Sequence, residues 1–337
     1  MTATSPSLPG SRTAILPLLA LLAGACGGGA ESAPLGASTA SLESDNGRSL
    51  NGRSLNGITI NGRSLNGVTL NGVQASGVKL GAASVGSISL AATVLSGTVG
   101  TTKISGAGFV GTTWSGVLSD GTTLPLQITA AAPLPAPNAD LLGYALSYQT
   151  ALGWTPVCGV ELDGSAALAV PMVGTWNYGQ NVGGAGSYTP SAGGFTFACR
   201  HFAVAKCVEM GYRPWAKSAS GSQLMSYLVA CTRLLRADYC GTGVSYTVDG
   251  TLIDLYDRLG IQKDTDPAWP LEAEWNPNGA LCVAASSSNR FSNTGLVPPC
   301  YARLSKSGCA NSYTGTGTSD SSDSFIIDRY LKPAPIP

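Results

Sequence analysis

A group of charged side chains that could carry acid–base chemistry lies between residues 200 and 240. It contains the carboxylates Glu209 and Asp238, the cations Arg233 and Arg236, and His201, which is the single histidine of the chain. Hydrolysis of a polymer by such a group requires one carboxyl that keeps its proton through burial and a second that is ionised. Two interpretations are therefore open, a hydrolytic site or a set of structural ion pairs.

The position of Asp238 favours the structural interpretation. This residue follows a predicted helix, and a carboxylate at the C-terminal end of a helix faces the negative end of the helix dipole. Arg233 and Arg236 lie one turn or less away and can offset that cost. We also interpret His201 as a structural or surface group, so no catalytic residue is assigned and the question of enzymatic activity stays open, with a non-catalytic role preferred.

Nine cysteines are the other residues whose chemistry can be read from the sequence. One of them lies near the N-terminus, and an even number in the rest of an exported chain predicts a disulfide framework. No Cys-x-x-Cys pair is present and there is one histidine, so we expect neither a metal site nor a cofactor. The eight cysteines of the framework are Cys158, Cys199, Cys207, Cys231, Cys240, Cys282, Cys300 and Cys309.

Two predicted helices carry four of these cysteines and suggest how they pair. Cys199 and Cys207 are eight residues apart and would share one face of the first helix. Cys231 lies in the second helix and Cys240 lies just past its end. Nested bridges Cys199–Cys240 and Cys207–Cys231 would then hold two antiparallel helices together at both ends. The remaining pairs would be Cys158–Cys282 and Cys300–Cys309.

The N-terminal 25 residues have the layout of a secretory signal. Arg12 precedes the apolar run AILPLLALLAGA, which is too short to span a membrane as a helix. The segment LAGAC resembles the lipobox of bacterial lipoproteins, in which the cysteine, here Cys26, is acylated. We expect an exported protein with a lipid anchor in the bacterial outer membrane, and a periplasmic or secreted protein is the alternative. Residues 26–45 are rich in Gly, Ala and Ser and predict a flexible tether.

Residues 46–129 begin with a five-residue repeat, NGRSL, whose fifth position is almost always aliphatic. A period of five fits neither a helix nor a simple strand. The tract resembles pentapeptide-repeat proteins, and this resemblance implies a short β-solenoid; a semi-ordered polar spacer is the alternative. A strand-rich segment with a hairpin at Ser119–Gly121 follows.

The region after the repeats predicts an α+β fold that is rich in strands. A Pro-rich linker at 130–140 precedes a disulfide-rich domain at 141–310, in which strands flank the disulfide-linked helical hairpin. Hairpins are predicted around Asp249–Gly250 and around Asn276–Gly279. Residues 311–337 predict a low-complexity loop followed by an edge strand in FIIDRYL.

The charge composition limits the partners. Lys plus Arg equals Asp plus Glu, so the formal net charge is zero, and charged residues make up only 11% of the chain. A protein without a basic surface is not expected to bind nucleic acid. The expected partners are the membrane, through the lipid anchor, and an unknown protein or glycan ligand.

Several separate motifs carry a family resemblance. The residues Ala237-Asp238-Tyr239-Cys240, with FACR at 197–200, KCVEMGYRPW at 206–215 and EAEWNPNGALC at 272–282, resemble the ADYC domain, a bacterial domain of unknown function. The resemblance extends from about Trp154 to Cys309, and it departs from the family at Tyr227, where the family has a histidine. Members are commonly exported, often with a lipoprotein leader. The resemblance implies no activity, so the sequence predicts a lipid-anchored envelope protein with a binding or structural role, and an exported hydrolase is the alternative.

Overall fold

Strands dominate the structure, which is a computed structural model. It describes residues 70–118, 121–150, 153–177, 179–181, 184–284, 289–307, 309 and 324–332, together with the backbone of 48–50. These residues form seventeen strands, three α-helices and two short 3-10 helices. They all belong to one compact unit.

The elements have the following bounds. The strands are β1 (Arg48–Leu50), β2 (Leu70–Leu80), β3 (Ala83–Ala91), β4 (Val94–Val99), β5 (Thr102–Ser105), β6 (Thr112–Leu118), β7 (Thr123–Pro133), β8 (Leu142–Thr150), β9 (Gly153–Pro156), β10 (Ala169–Val173), β11 (Thr175–Trp176), β12 (Tyr188–Thr189), β13 (Gly194–Cys199), β14 (Leu252–Asp257), β15 (Leu271–Asn276), β16 (Gly279–Val283) and β17 (Ile326–Arg329). The α-helices are α1 (Ala203–Glu209), α2 (Met225–Arg236) and α3 (Tyr301–Ser307), and 3-10 helices cover Gly106–Phe109 and Arg290–Asn293.

Six antiparallel strands close on themselves. Their order is β13, β10, β8, β7, β6 and β2, and β2 pairs back with β13 through Gln74 opposite Gly194 and Val73 opposite Phe195. Strands β3, β4 and β5 extend this sheet from β2, and β9 pairs with β8. The strand that completes the ring therefore lies far upstream of the cysteine-rich region.

The ring encloses an aromatic core because successive side chains of a strand point to opposite faces. Trp114 meets Phe195 and Phe197 edge to face, with ring centroids 6.2 and 6.0 Å apart, and Tyr144 meets Phe197 at 6.1 Å. The next residue of β13, Ala198, points the other way and belongs to a second core. Strand β13 thus contributes to both cores of the protein.

The second core lies between the helices and a five-stranded sheet whose order is β1, β14, β17, β15 and β16. Helix α2 packs on β15, β16 and β17. Its buried residues Leu228, Cys231 and Leu235 recur at the spacing of one helix face.

The predicted α+β fold with a disulfide-linked helical hairpin is wrong. Helix α1 has only seven residues, and Cys199 is the last residue of strand β13 rather than part of a helix. The segment FACRHFAVAKC, residues 197–207, suggests a helix because most of its residues are apolar, but this does not distinguish a buried strand from a buried helix. The fold is β-rich, with three α-helices in its described part.

All eight cysteines outside the leader form disulfides, as predicted, but only one predicted pair is confirmed. Cys207 in α1 bonds to Cys231 in α2. The other predicted pairs, Cys199–Cys240, Cys158–Cys282 and Cys300–Cys309, are wrong. The observed bridges are Cys158–Cys199, Cys240–Cys300 and Cys282–Cys309.

The corrected pairs follow from where each cysteine lies. Cys199 is the last residue of β13, and it lies beside the segment that follows β9 and contains Cys158. The start of α3 brings Cys300 to Cys240, and the end of this helix brings Cys309 to Cys282 on β16.

The predicted solenoid is also wrong for the repeats that the structure describes. From Leu70 to Val99 the chain forms the antiparallel strands β2, β3 and β4. Because five is an odd number, successive fifth positions of one extended strand point to opposite faces. The fifth positions form no continuous buried column: Leu70, Val85 and Leu95 are buried, whereas Ala75, Leu80 and Leu90 are only partly buried.

The strand predictions after the helices have mixed outcomes. The hairpin around Asn276–Gly279 is confirmed by the pairing of β15 with β16. The one around Asp249–Gly250 is wrong, since only its second arm, β14, is a strand. Strand β17 lies between β14 and β15 rather than at an edge, and its four residues are buried.

Some predictions concern residues outside those described. The leader with Cys26, the tether at 26–45 and most of the 311–337 tail are among them. The run at 130–140 joins β7 to β8, which pair with each other; the domain boundaries stay predictions. Among the described residues, no helix combines the length and the apolar character needed to cross a bilayer.

Candidate functional site

The segment that follows α2 begins with a left-handed residue that ends the helix. Ala237 has φ +52°, and its N–H donates to the carbonyl of Leu234 at 2.9 Å. The N–H of Asp238 donates to the carbonyl of Arg233 at 2.9 Å. These two bonds satisfy carbonyls that a helix end otherwise leaves open, and they direct the next three residues into the interior.

Asp238 is completely buried, and hydrogen bonds saturate its carboxylate. One oxygen, Oδ2, accepts from Nη1 of Arg233 and from the N–H of Gly243 at 2.9 Å. The other, Oδ1, accepts from the N–H of Thr242 at 3.0 Å. Arg236 contributes a second positive charge, with Nη1 3.9 Å from Oδ2. The carboxylate thus ties the end of α2 to the loop that follows it.

Arg233 connects the same point to two other segments. Its Nε donates to the carbonyl of Pro277 at 3.1 Å, its Nη2 to the hydroxyl of Ser187 at 3.1 Å, and its Nη1 to the carbonyl of Ala185. A Cβ at Gly186 would lie 2.3 Å from Nη1 of Arg233, so only glycine fits beside the guanidinium. Arg233 therefore acts as a cross-link between α2, the 185–187 segment and the β15–β16 turn.

Tyr239 points into a second buried charged cluster. Its hydroxyl donates to Oε1 of Glu272, and Oε2 of Glu272 accepts from Nε of Arg290 at 2.6 Å. Arg290 also donates from Nη2 to Oδ2 of Asp328 at 2.8 Å, and Trp275 donates from Nε1 to Oδ1 of Asp328 at 2.7 Å. The cluster joins β15, β17 and the 3-10 helix at 290–293 beneath α2.

This cluster places one guanidinium between two carboxyl groups. Burial raises the pKa of Asp328 well above its usual range, and the negative charge of Glu272 adds to the effect. Burial, followed by the charge of Glu272, also raises the pKa of Tyr239. A proton kept by Asp328 leaves Glu272 and Arg290 as a neutral pair, which is the state that a dry interior favours.

The other candidate residues, His201 and Glu209, belong to a separate cluster around Arg200. Arg200 donates to both carboxylate oxygens of Glu209, at 3.2 and 3.3 Å. Nε2 of His201 lies 3.2 Å from both oxygens of Glu161, and Nη1 of Arg200 lies 3.9 Å from Oε1 of Glu161. The five predicted site residues are therefore distributed over two places, Asp238 with Arg233 and Arg236, and His201 and Glu209 beside Arg200.

Two further buried carboxylates, those of Asp254 and Asp257, hold loop backbone. Asp254 accepts from the N–H groups of Thr265 and Asp266 at 3.0 and 2.8 Å. Asp257 accepts from the hydroxyl of Tyr212 at 2.8 Å and from the N–H of Gln262 at 2.7 Å. Burial raises the pKa of both aspartates. Their contacts are those of side chains that fix the 259–266 loop.

Among the described residues, one group has the spacing of metal ligands, Glu274 with Cys282 and Cys309. The two sulfur atoms are joined in a disulfide, and a disulfide sulfur lacks the thiolate charge with which cysteine binds metals. In this oxidised state the group is a cross-link rather than a metal site.

Sequence reasoning missed Arg290 and Asp328. Arg290 is fully buried and Asp328 is the central acid of β17, yet neither belongs to a charged motif. The available signal was an Asp-Arg pair inside the apolar segment FIIDRYL, because a charge in a buried strand requires a partner.

Comparison with known families gives a match for the region that contains most of these contacts. A family model described as the ADYC domain matches residues 106–289, more than half of the chain. The chain belongs to the ADYC domain family. No curated protein matches, and no solved structure matches either.

The four residues of the ADYC motif have distinct structural roles. Ala237 ends α2, and Asp238 forms an ion pair with Arg233. Tyr239 packs in the second core. Cys240 forms a disulfide with Cys300, which lies between β16 and α3 in the sequence. These neighbouring residues therefore connect one helix end to the 242–243 loop, to β15 through Glu272 and to Cys300.

Proposed function

We propose that this protein is an exported, lipid-anchored protein of the cell envelope whose ADYC domain is a non-catalytic binding or structural module. The disulfides support export, because such bonds form and persist outside the reducing cytoplasm. Four of them lie in the ADYC region and the segment that follows it.

The count of cysteines carries the proposal for the anchor. The chain has nine cysteines, and the four disulfides use eight of them. The ninth is Cys26, the one within LAGAC, so the cysteine left over from the four described disulfides lies where a lipoprotein is acylated. Multiple acyl chains on that residue would give stable attachment to a membrane.

The hydrogen bonds made by the buried charged side chains support a non-catalytic role. The carboxylate of Asp238 accepts hydrogen bonds from Arg233 and from the backbone of Thr242 and Gly243, and it is completely buried. A general acid must reach a substrate, which this group cannot do without disruption of the helix end. The alternative of an exported hydrolase with a site on the two helices therefore has less support.

Acylation of Cys26 tests the anchor. The protein is produced in a bacterium that is fed an alkyne-tagged fatty acid, and tag incorporation and membrane fractionation are measured for the unmodified chain and for Cys26→Ser. We expect tag and outer-membrane location for the former and loss of both for the variant, while the leader variant Ser11→Ala behaves as the unmodified chain. Tag that persists in Cys26→Ser, or an untagged protein that is periplasmic or secreted, would contradict the anchor; reduced cytoplasmic protein would contradict export as well.

A further inference from the structure

A cavity of about 480 Å³ opens beside the closed ring of strands. Strands β2, β6, β11 and β12 and the turn before β13 line it. This volume lies within the range of small-molecule sites, about 300–1,000 Å³. None of the residues that line the cavity belongs to the charged clusters around Asp238 and Arg290.

The chemistry of the lining points to an uncharged ligand with many hydrogen-bonding groups. Gln74 and Asn177 supply amides, and Thr175, Thr189 and Ser191 supply hydroxyls. The described lining contains no Asp, Glu, Lys, Arg or His. An ionised ligand would therefore lose hydration without gaining an opposite charge, whereas hydroxyl groups can both donate to and accept from amides and hydroxyls.

Local contacts keep this lining in place. Oδ1 of Asn177 accepts from the N–H of Gly179 at 2.9 Å, which orients the amide. Trp176 is 2% exposed and packs edge to face on Tyr188 with centroids 5.9 Å apart. An amide that is already oriented lowers the entropy that binding costs.

Glycines form part of the lining. A Cβ at Gly72 would lie 2.9 Å from Cγ2 of Thr175, so a side chain at position 72 would clash with this wall. A Cβ at Gly193 would meet nothing within 4 Å. Backbone without side chains lets a ligand approach closely.

We propose that this cavity binds a neutral sugar unit of a glycan. The inference rests on the proposed function, because it specifies the ligand class of the binding module. A sugar ring carries no charge and offers several hydroxyl groups, which can donate to and accept from the amides and hydroxyls of the lining. Neutral glycans of the cell's own envelope and those from outside the cell share this chemistry.

Binding to defined oligosaccharides tests the proposal. The full-length protein in detergent is titrated calorimetrically with cellohexaose, maltohexaose and chitohexaose, with hexagalacturonate as the anionic probe, and with neutral glycan extracted from the producing cells. We expect binding of at least one neutral probe, and the identity of that probe distinguishes an external glycan from one of the cell itself. Binding of the anionic probe alone, or of no glycan, would overturn the inference.

Two variants locate the binding. Gly193→Phe places a bulky group at the open position and should weaken binding at least tenfold, while Gln74→Ala should weaken it about three- to tenfold through one lost hydrogen bond. Gln149→Ala, an exposed strand glutamine outside the cavity, is the matched control and should bind normally. Unchanged binding by the folded Gly193→Phe variant, or by Gln74→Ala if the former does not fold, would refute this site.

The same preparations separate this inference from the proposed function. Fatty-acid tag at Cys26 together with absent glycan binding would refute the sugar site alone. Glycan binding without tag would refute the anchor and leave the sugar site in place.

Discussion

At the scale of single residues, the ADYC motif is a set of connections made by consecutive side chains. Asp238 compensates two buried guanidinium groups, Arg233 at hydrogen-bond distance and Arg236 at 3.9 Å. A buried ion pair adds little net stability when it is intact, but removal of one partner leaves an uncompensated charge in the interior. Loss of the Asp238 carboxylate should therefore lower the stability of the protein by more than the intact ion pair adds to it.

Replacement of Asp238 should therefore be costly. We expect Asp238→Asn to lower the free energy of unfolding by about 3–5 kcal/mol, because Arg233 and Arg236 stay buried without a carboxylate. Urea denaturation followed by tryptophan fluorescence measures the change. Asp140→Asn is the matched control, since this surface acid pairs with Arg213 and should cost less than about 1 kcal/mol. Similar losses for the two variants would show that Asp238 does not hold the helix end.

The buried Asp328 predicts a pH dependence of stability. Burial raises its pKa in the folded protein, so the folded state binds this proton more tightly than the unfolded chain does. The resulting stabilisation is complete below the unfolded pKa of about 3.9 and is lost as pH rises through the folded pKa. The raised pKa values of Asp254 and Asp257 act in the same direction.

We therefore expect the urea concentration at the midpoint of unfolding to decrease from about pH 4 toward neutral pH. The decrease should be weaker in Asp328→Asn, because asparagine has no carboxyl proton to release. Asp163 provides a control of opposite sign, because hydrogen bonds from Ser165 lower the pKa of this exposed carboxyl, so Asp163→Asn should not weaken the decrease. A slope that Asp328→Asn leaves unchanged would place the titrating group elsewhere.

At the scale of elements, the loop after α2 and the β15–β16 turn approach each other so closely that they require glycine. Gly241 has φ +66°, and a Cβ there would lie 1.9 Å from the carbonyl oxygen of Asn278. Gly279 lies on the other side of this contact, where a Cβ would be 2.7 Å from the carbonyl of Tyr239. The ADYC segment therefore packs against the turn backbone to backbone.

Substitution of Gly241 tests this contact. Gly250→Ala is the control, since Gly250 also has positive φ, +81°, but a Cβ there meets nothing within 4 Å; it should cost about 1–2 kcal/mol. Gly241→Ala adds the steric clash and should cost about 3 kcal/mol or more, measured as a shift in the urea midpoint. Equal costs would mean that the two loops separate easily.

The elements also show what the sequence can predict. Helix α2 follows from apolar residues at helical spacing, and the β15–β16 hairpin follows from Asn-Gly, because both depend on near neighbours. The proximity of Arg233 and Asp238 could be anticipated for the same reason, since they are five residues apart. Arg290 and Asp328 are 38 residues apart and meet only after the five-stranded sheet has formed, so no local pattern indicates them.

At the scale of the whole molecule, long-range pairing determines the architecture. Strand β2 meets β13 across about 120 residues, and three of the four disulfides join segments that are neighbours only in the folded sheets. Period and spacing give no information on such contacts. For that reason the solenoid and three of the cysteine pairs were predicted incorrectly, while the pair between the two adjacent helices was predicted correctly.

The disulfide pattern itself is directly measurable. Peptide mapping of the exported protein under non-reducing conditions should recover four bridged pairs, Cys158–Cys199, Cys207–Cys231, Cys240–Cys300 and Cys282–Cys309. The reduced and alkylated protein is the control. Free thiols among these eight residues would contradict both the architecture and the inference of export.

The closure of the ring by β2 has a practical consequence for work on this family. The family match begins at residue 106, but β2 occupies Leu70–Leu80 and hydrogen-bonds to both β6 and β13. A recombinant fragment cut at the family boundary would leave two open strand edges, and such edges promote aggregation. Soluble expression of the ADYC domain should therefore start upstream of Arg48, so that β2 stays in the ring and β1 stays paired with β14.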